Sequence, residues 1–229
     1  MPLPILETSK HTIEVPLTKE NIEIRPFLVK EEKILIQAQQ SENDKNILKA
    51  IKDIIRVCSF EKIKPNNLTL FDLEYIFLQL RAISVGESVQ FNIKCDECEK
   101  TNEVDVDLTE AKVIWSEVVV DNKVELSNDV GLVLRPVRVK DMDKVDQDIT
   151  AAIIASIESI YDTDNVYHTD ETSQKELVAF VDSLSHSHLE IIQKYIENQP
   201  KLEHTFKYKC RSCGHDNERT LSGLSDFFI

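Results

Sequence analysis

Two Cys-x2-Cys pairs constrain this chain more than any other feature of its 229 residues. Cys95 and Cys98 stand in KCDECEK, and Cys210 and Cys213 stand in KCRSCGH. Two intervening residues let the backbone turn tightly enough for both sulfurs of a pair to face one point. Two such pairs supply the four thiolates that structural zinc takes in tetrahedral geometry. Compact zinc ribbons place roughly 15–20 residues between their pairs, whereas 111 residues separate Cys98 from Cys210 here. The spacing therefore predicts one ribbon interrupted by a large insertion. A closed set of four thiolates leaves no position for water, so the Zn2+ is expected to be structural. Iron in the same ligands, or a dithiol redox role as a thiol oxidoreductase, are the alternatives these residue types leave open.

The residues around each pair fit hairpins. Val89, Phe91 and Ile93 alternate with Gln90, Asn92 and Lys94, and Val104, Val106 and Leu108 alternate with acidic residues, which puts the first pair at a hairpin tip. Phe206 and Tyr208 alternate with Lys207 and Lys209 ahead of the second pair. Gly214 suits a tight turn after that pair, and Glu99, which follows the first, suits it less well.

Elsewhere the period changes. Residues 1–30 read as extended, punctuated by Pro2, Pro4, Pro16 and Pro26, with strand alternation over 22–27. A short helix is expected over 30–39. A clearer one carries Ile47, Leu48, Ile51, Ile54, Ile55 and Cys58 on one face, which makes Cys58 a small core residue. Leu70, Leu73, Ile76, Phe77, Leu80 and Ile83 form a further apolar stripe, with Thr69 and Asp72 at its start and Gly86 at its end. Residues 113–120, 123–126 and 130–139 read as strands of a small antiparallel sheet. Val145, Ile149, Ile153, Ile154, Ile157 and Ile160 then hold helical spacing. A loop over 161–173 leads to two amphipathic helices ending at Pro200. The expected fold class is α+β: zinc-ribbon-like hairpins interrupted by a helical and β insertion, preceded by an N-terminal strand and helical hairpin. Its segments are 1–66, 67–110, 111–199 and 200–229.

Several function classes fail on arithmetic. The four glycines, Gly86, Gly131, Gly214 and Gly223, contain neither two five apart, as a P-loop needs, nor three within six residues, as a dinucleotide fingerprint needs. With 41 acidic against 27 basic residues the net charge is −14, which argues against nucleic acid as the main ligand and for a protein partner. Lys207, Lys209, Arg211 and Arg219 beside the second pair keep a nucleic-acid-binding module as an alternative. No basic region leads into a sustained apolar run at the N-terminus, and residues 151–157 fall far short of the roughly 18 that a membrane span needs, so a cytoplasmic protein without a transmembrane segment is expected.

The remaining candidates are weaker. His186 and His188 lack the spacing of a zinc-protease helix, and His204 and His215 are surplus beside four cysteines. Residues 161–171 carry Val166 and Tyr167 where a calcium loop needs Asp or Asn and Gly, and read as an acidic surface loop. No nucleophile signature stands out, and no catalytic residue is assigned. The closing LSDFFI either packs on its own ribbon or docks on a partner.

Residues 71–108, FDLEYIFLQLRAISVGESVQFNIKCDECEKTNEVDVDL, resemble the core signature of the baseplate hub assembly protein family of T-even-like tailed bacteriophages. IEIRPFLVKEEKIL upstream and KYKCRSCGHDNERTLSGLSDFF at the end are similar to its flanking motifs, so the likeness touches 22–58, 71–108 and 181–229. LRAISVGE, both knuckles and GLSDFF occur in the same order. The resemblance implies non-enzymatic work in the infected bacterium, helping the central hub of the tail baseplate assemble through contacts with hub or other tail proteins. It leaves open whether the protein stays in the virion or leaves as an assembly chaperone. The family's paired cysteines correspond to Cys95, Cys98, Cys210 and Cys213, and Glu99 departs from the glycine-rich turn.

Overall fold

The computed structural model describes residues 6–41, 43–116, 121–145, 148–223 and 226. It is a mixed α and β chain with several small sheets, divided into two compact units: Met1–Ile114 with Lys201–Ile229, and Trp115–Pro200.

The first unit opens with the antiparallel pair β1 (His11–Glu14) and β2 (Asn21–Ile24). Next come α1 (Val29–Gln40) and α2 (Asp44–Cys58). Asn43 starts α2 by accepting the Lys45 and Asn46 N–H groups on Oδ1, at 3.0 and 3.3 Å. The α2 face that carries Ile51, Ile54, Ile55 and Cys58 is buried, as its three-and-four spacing requires. In α3 (Leu70–Val85) apolar residues run nearly all round the helix, because it is covered on more than one side. Its N-terminus is capped by Thr69, whose Oγ1 accepts the Asp72 N–H at 3.0 Å, and it ends at Gly86, whose φ of 114° favours glycine.

Beyond Gly86 the chain forms the hairpin of β3 (Ser88–Lys94) and β4 (Thr101–Asp107), in register from Ser88↔Asp107 to Lys94↔Thr101. The short β5 (Lys112–Ile114) follows, and there the chain leaves the first unit.

The second unit holds the antiparallel sheet β6 (Lys123–Glu125), β7 (Gly131–Leu134), β8 (Ile157–Tyr161) and β9 (Val166–His168), in that order. Gly131 pairs with Tyr161, whose ring and hydroxyl fill the space that a Cβ would need. The helices are α4 (Met142–Val145), α5 (Ile149–Ser156), α6 (Gln174–Asp182) and α7 (His186–Glu197). Leu132, Leu134, Ile153, Ile157, Leu177 and Ile192 are among the residues of its core.

The chain returns to the first unit as β10 (Lys201–Lys209) and β11 (Asp216–Ser222), paired from Glu203↔Ser222 to Lys209↔Asp216. Lys201 pairs with Ile114, so the points of exit and re-entry are neighbours across β5 and β10. Phe71 and Leu78 from α3, Phe91 and Val106 from the first hairpin, and Leu202 and Leu221 from the second share one core.

Four sequence expectations are corrected. Ile157 and Ile160 belong to strand β8 rather than to a continuing helix. The Ser156 hydroxyl donates to the Ile153 carbonyl at 2.7 Å, and its own carbonyl accepts the Arg135 N–H at 2.8 Å, which turns the β-branched run into the sheet. Val113 and Ile114 pair with β10 instead of joining β6 and β7, while residues 117–120 lie outside the described residues. The strand expected over 130–139 stops at Leu134, before Arg135 and Pro136, and the loop expected over 161–173 contains β9.

Candidate metal centre

Each cysteine pair caps its hairpin in the same way. After β3, the Cys95 N–H donates to the Lys100 carbonyl (3.0 Å) and the Glu99 N–H to the Cys95 carbonyl (3.0 Å). After β10, the Cys210 N–H donates to the His215 carbonyl (2.8 Å) and the Gly214 N–H to the Cys210 carbonyl (3.0 Å). The fourth residue after each first cysteine is left-handed, at φ 75° for Gly214 and 58° for Glu99. Glu99 therefore adopts the conformation that its sequence suits poorly, at the strain of a non-glycine residue there.

The two tips meet. All four sulfurs lie within 4.8 Å of one another, with Cys95 Sγ 3.7 Å from Cys213 Sγ and Cys98 Sγ 3.7 Å from Cys210 Sγ. A tetrahedron with metal–sulfur bonds of about 2.3 Å has edges of roughly 3.8 Å, so the set fits a four-coordinate ion. Cys95 and Cys210 are buried, Cys98 is half-buried and Cys213 lies at the exposed rim.

The thiols are prepared unequally. The N–H groups of Cys213 and Ser212, with the Asn102 amide, bring Cys210 down to about 6 against the opposing effect of burial. Burial alone would raise Cys95, but the N–H groups of Cys98 and Glu97 turn its shift downward. For Cys213 the His215 N–H acts to lower the value, yet burial and hydrogen bonds to the sulfurs of Cys98, Cys210 and Cys95 push it up to about 12. Four sulfurs this close cannot all carry charge without a cation between them, and their donor set can hold a metal ion.

Two asparagines that sequence reasoning missed lock the tips together. Asn102 Oδ1 accepts the Arg211 N–H of the second tip (2.9 Å), and its Nδ2 donates to the Lys100 carbonyl (2.9 Å) and lies 3.6 Å from Cys210 Sγ. Asn217 Oδ1 accepts the Asp96 N–H of the first tip (3.0 Å), and its Nδ2 donates to the His215 carbonyl (3.0 Å). The signal was present: KCDECEKTN and KCRSCGHDN both place Asn seven residues after the first cysteine. Two further contacts lack this symmetry. The Tyr208 hydroxyl donates to the Lys94 carbonyl (3.0 Å), and Arg219 pairs with Asp96.

The other candidates lie apart from this cluster. Cys58 is fully buried in α2, and burial pushes its thiol up to about 11. His204 is buried against Phe206 at 5.8 Å between ring centroids, and His215 is exposed. His188 Nδ1 accepts the Ser185 N–H at the start of α7. Asp162 accepts the N–H groups of Asp164 and Asn165 and the Tyr167 hydroxyl, which makes a closed polar turn. Of the four cations beside the second pair, Lys207 is paired with Glu218 and Arg219 with Asp96. The closing residues 224, 225 and 227–229 lie outside the described residues. No helix among the described residues is long and apolar enough to cross a membrane.

Compared with known protein families, the chain matches the one described as T4 bacteriophage base plate protein, over residues 8–229. No curated protein and no solved structure matches.

Proposed function

The chain belongs to the T4 bacteriophage base plate protein family, and from that membership we propose a non-enzymatic structural role in the phage tail, assisting assembly of the baseplate's central hub through contacts with other tail proteins. The observation that carries this reading is the extent of the match, which takes in both cysteine pairs and everything between them. The hub as the place of work comes from the likeness of residues 71–108 to hub assembly proteins. On this reading the chain is made in the cytoplasm of the infected bacterium and acts on the tail baseplate.

In the same proposal, Cys95, Cys98, Cys210 and Cys213 hold one structural Zn2+. The chain is then a single ribbon, with halves at 67–110 and 200–229 and residues 111–199 inserted between them. Closing a loop of that length costs about 4 kcal/mol in chain entropy, plus a constant. A structural zinc site contributes about 10–16 kcal/mol of apparent binding free energy, much of it folding energy, so one ion outweighs the closure. A protein that works by presenting surfaces to neighbours needs such a fixed shape.

Infection with a phage that lacks this chain tests the reading. Tails should accumulate without a complete baseplate hub, supplied protein should restore them, and the Cys98→Ser form should not. Complete baseplates assembled in its absence would refute the role.

A further inference from the structure

The second unit carries a surface that the metal centre does not explain. A groove of 720 Å3 runs between α5 and α7, within the size range of sites that take ligands. Ile153 and Ile192 form its buried floor, while Ile149 at the start of α5 is 79% exposed and Ile196 on α7 is 38% exposed. Along α7 the groove residues Leu189, Ile192 and Ile196 recur at three and four, which makes a straight apolar stripe. Ile149, Ala152 and Ile153 repeat that spacing on the facing wall.

The charged lining is one-sided. Glu190 and Glu197 stand beside the stripe seven residues apart, two turns or about 10.5 Å along the helix. Asp148 adds a carboxylate from the other wall. Among the described residues the one basic group lining the groove is His186, whose Nε2 is 3.6 Å from Glu190 Oε1, and no Lys or Arg lines it.

From this geometry we infer that the groove docks an amphipathic helix of another protein, with an apolar stripe flanked on one side by Lys or Arg at positions seven apart. Two helical walls with matching three-and-four stripes fit a third helix laid between them. The charge selects among occupants. A second copy would bring its own three carboxylates to the same seam, and the chain's net charge of −14 adds to that repulsion. Anionic lipid and nucleic acid are opposed by the same carboxylates. A basic-flanked helix meets Glu190 and Glu197 in register. The inference goes beyond the proposed hub role and does not depend on the cysteines, since every lining residue lies in Trp115–Pro200.

Two labelled 18-residue synthetic helices test it. They share one leucine stripe and differ in carrying Lys or Glu at the two flanking positions seven apart, and fluorescence anisotropy follows each against the full chain. The Lys peptide should bind at least tenfold more tightly than the Glu peptide. Glu190→Lys with Glu197→Lys should reverse that order, and Ile149→Asp should weaken the Lys peptide at least tenfold. The Glu190 and Glu197 variants change an exposed face and should keep the native melting curve and metal content. The inference is overturned if the Lys peptide does not bind, if both peptides bind alike, or if the charge reversals leave the preference unchanged. It is equally overturned if the chain alone sediments as a dimer that Ile149→Asp separates, because a second copy then fills the groove.

Discussion

Asn102 and Asn217 are counterparts: each stands seven residues after the first cysteine of its own tip, and each accepts a backbone N–H from the other tip, Arg211 at 2.9 Å and Asp96 at 3.0 Å. Both are almost fully buried, at 4% and 3% exposure. The exchange explains why two hairpins far apart in sequence meet in one orientation and bring the four sulfurs to a common point.

Asn102→Ala or Asn217→Ala should remove the hydrogen bond that ties its tip to the other, at a cost of about 0.5–1.5 kcal/mol. Because these groups orient the ligands, zinc affinity should fall by roughly 10–100-fold. Chelator competition reads the affinity, and denaturant titration reads the stability.

Glu99 and Gly214 share the left-handed turn position, at φ 58° and 75°. Glu99→Gly should relieve strain and stabilise the fold by about 1 kcal/mol, while Gly214→Ala should cost a similar amount. Apart from its chain neighbours, the one atom of the described residues within 4 Å of a Cβ at Gly214 is Lys209 Cε at 3.9 Å, an ordinary contact, so backbone conformation sets that cost. Melting temperatures should move in opposite directions for the two changes.

Asp72 is fully buried at the start of α3, where Oδ1 accepts the Leu17 N–H (3.2 Å) and Oδ2 the Thr69 hydroxyl (3.0 Å). Burial raises its carboxyl above the ordinary value despite those bonds. The folded state thus favours the protonated form, and this group's contribution falls as pH rises from the ordinary value through the raised one. At pH 7, Asp72→Asn keeps an acceptor for Leu17 and removes the buried charge, so it should be at least as stable as the native protein. Asp72→Ala should lose about 1–3 kcal/mol.

Asp170 takes a bidentate pair from Arg138, at 2.8 and 3.0 Å, and a contact from Lys140 at 3.3 Å. The hydrogen bonds from Arg138 hold its carboxyl well below the ordinary value near 3.8. Its stabilising effect is full above that ordinary value and is lost as pH falls through the lower folded one. The melting temperature of the native protein should drop more steeply below pH 4 than that of Asp170→Asn. The gap should be modest, because the side chain is 51% exposed and water screens the pair.

What was legible in the sequence followed from short-range chemistry. The Cys-x2-Cys spacing gave the knuckles, alternation at Val89, Phe91 and Ile93 gave the first hairpin, and the spacing of Ile51, Ile54, Ile55 and Cys58 gave the buried face of α2. What was missed depends on partners distant in sequence. Ile157 and Ile160 satisfy a helical period and a strand period equally, and the Arg135 N–H waiting for the Ser156 carbonyl decides between them. Val113 and Ile114 have no local feature that assigns them to β10, which lies 87 positions away in the Ile114–Lys201 pair. Asn102 and Asn217 look like ordinary hairpin residues until the two tips are aligned with each other.

The most direct test of the central claim is metal content with thiol accessibility, measured on the purified native chain. One zinc per chain is expected, with Cys95, Cys98, Cys210 and Cys213 resisting alkylation until a chelator removes the ion and the fold of the first unit loosens. Less than half an equivalent of zinc, with all four thiols alkylated freely in the folded protein, would contradict it.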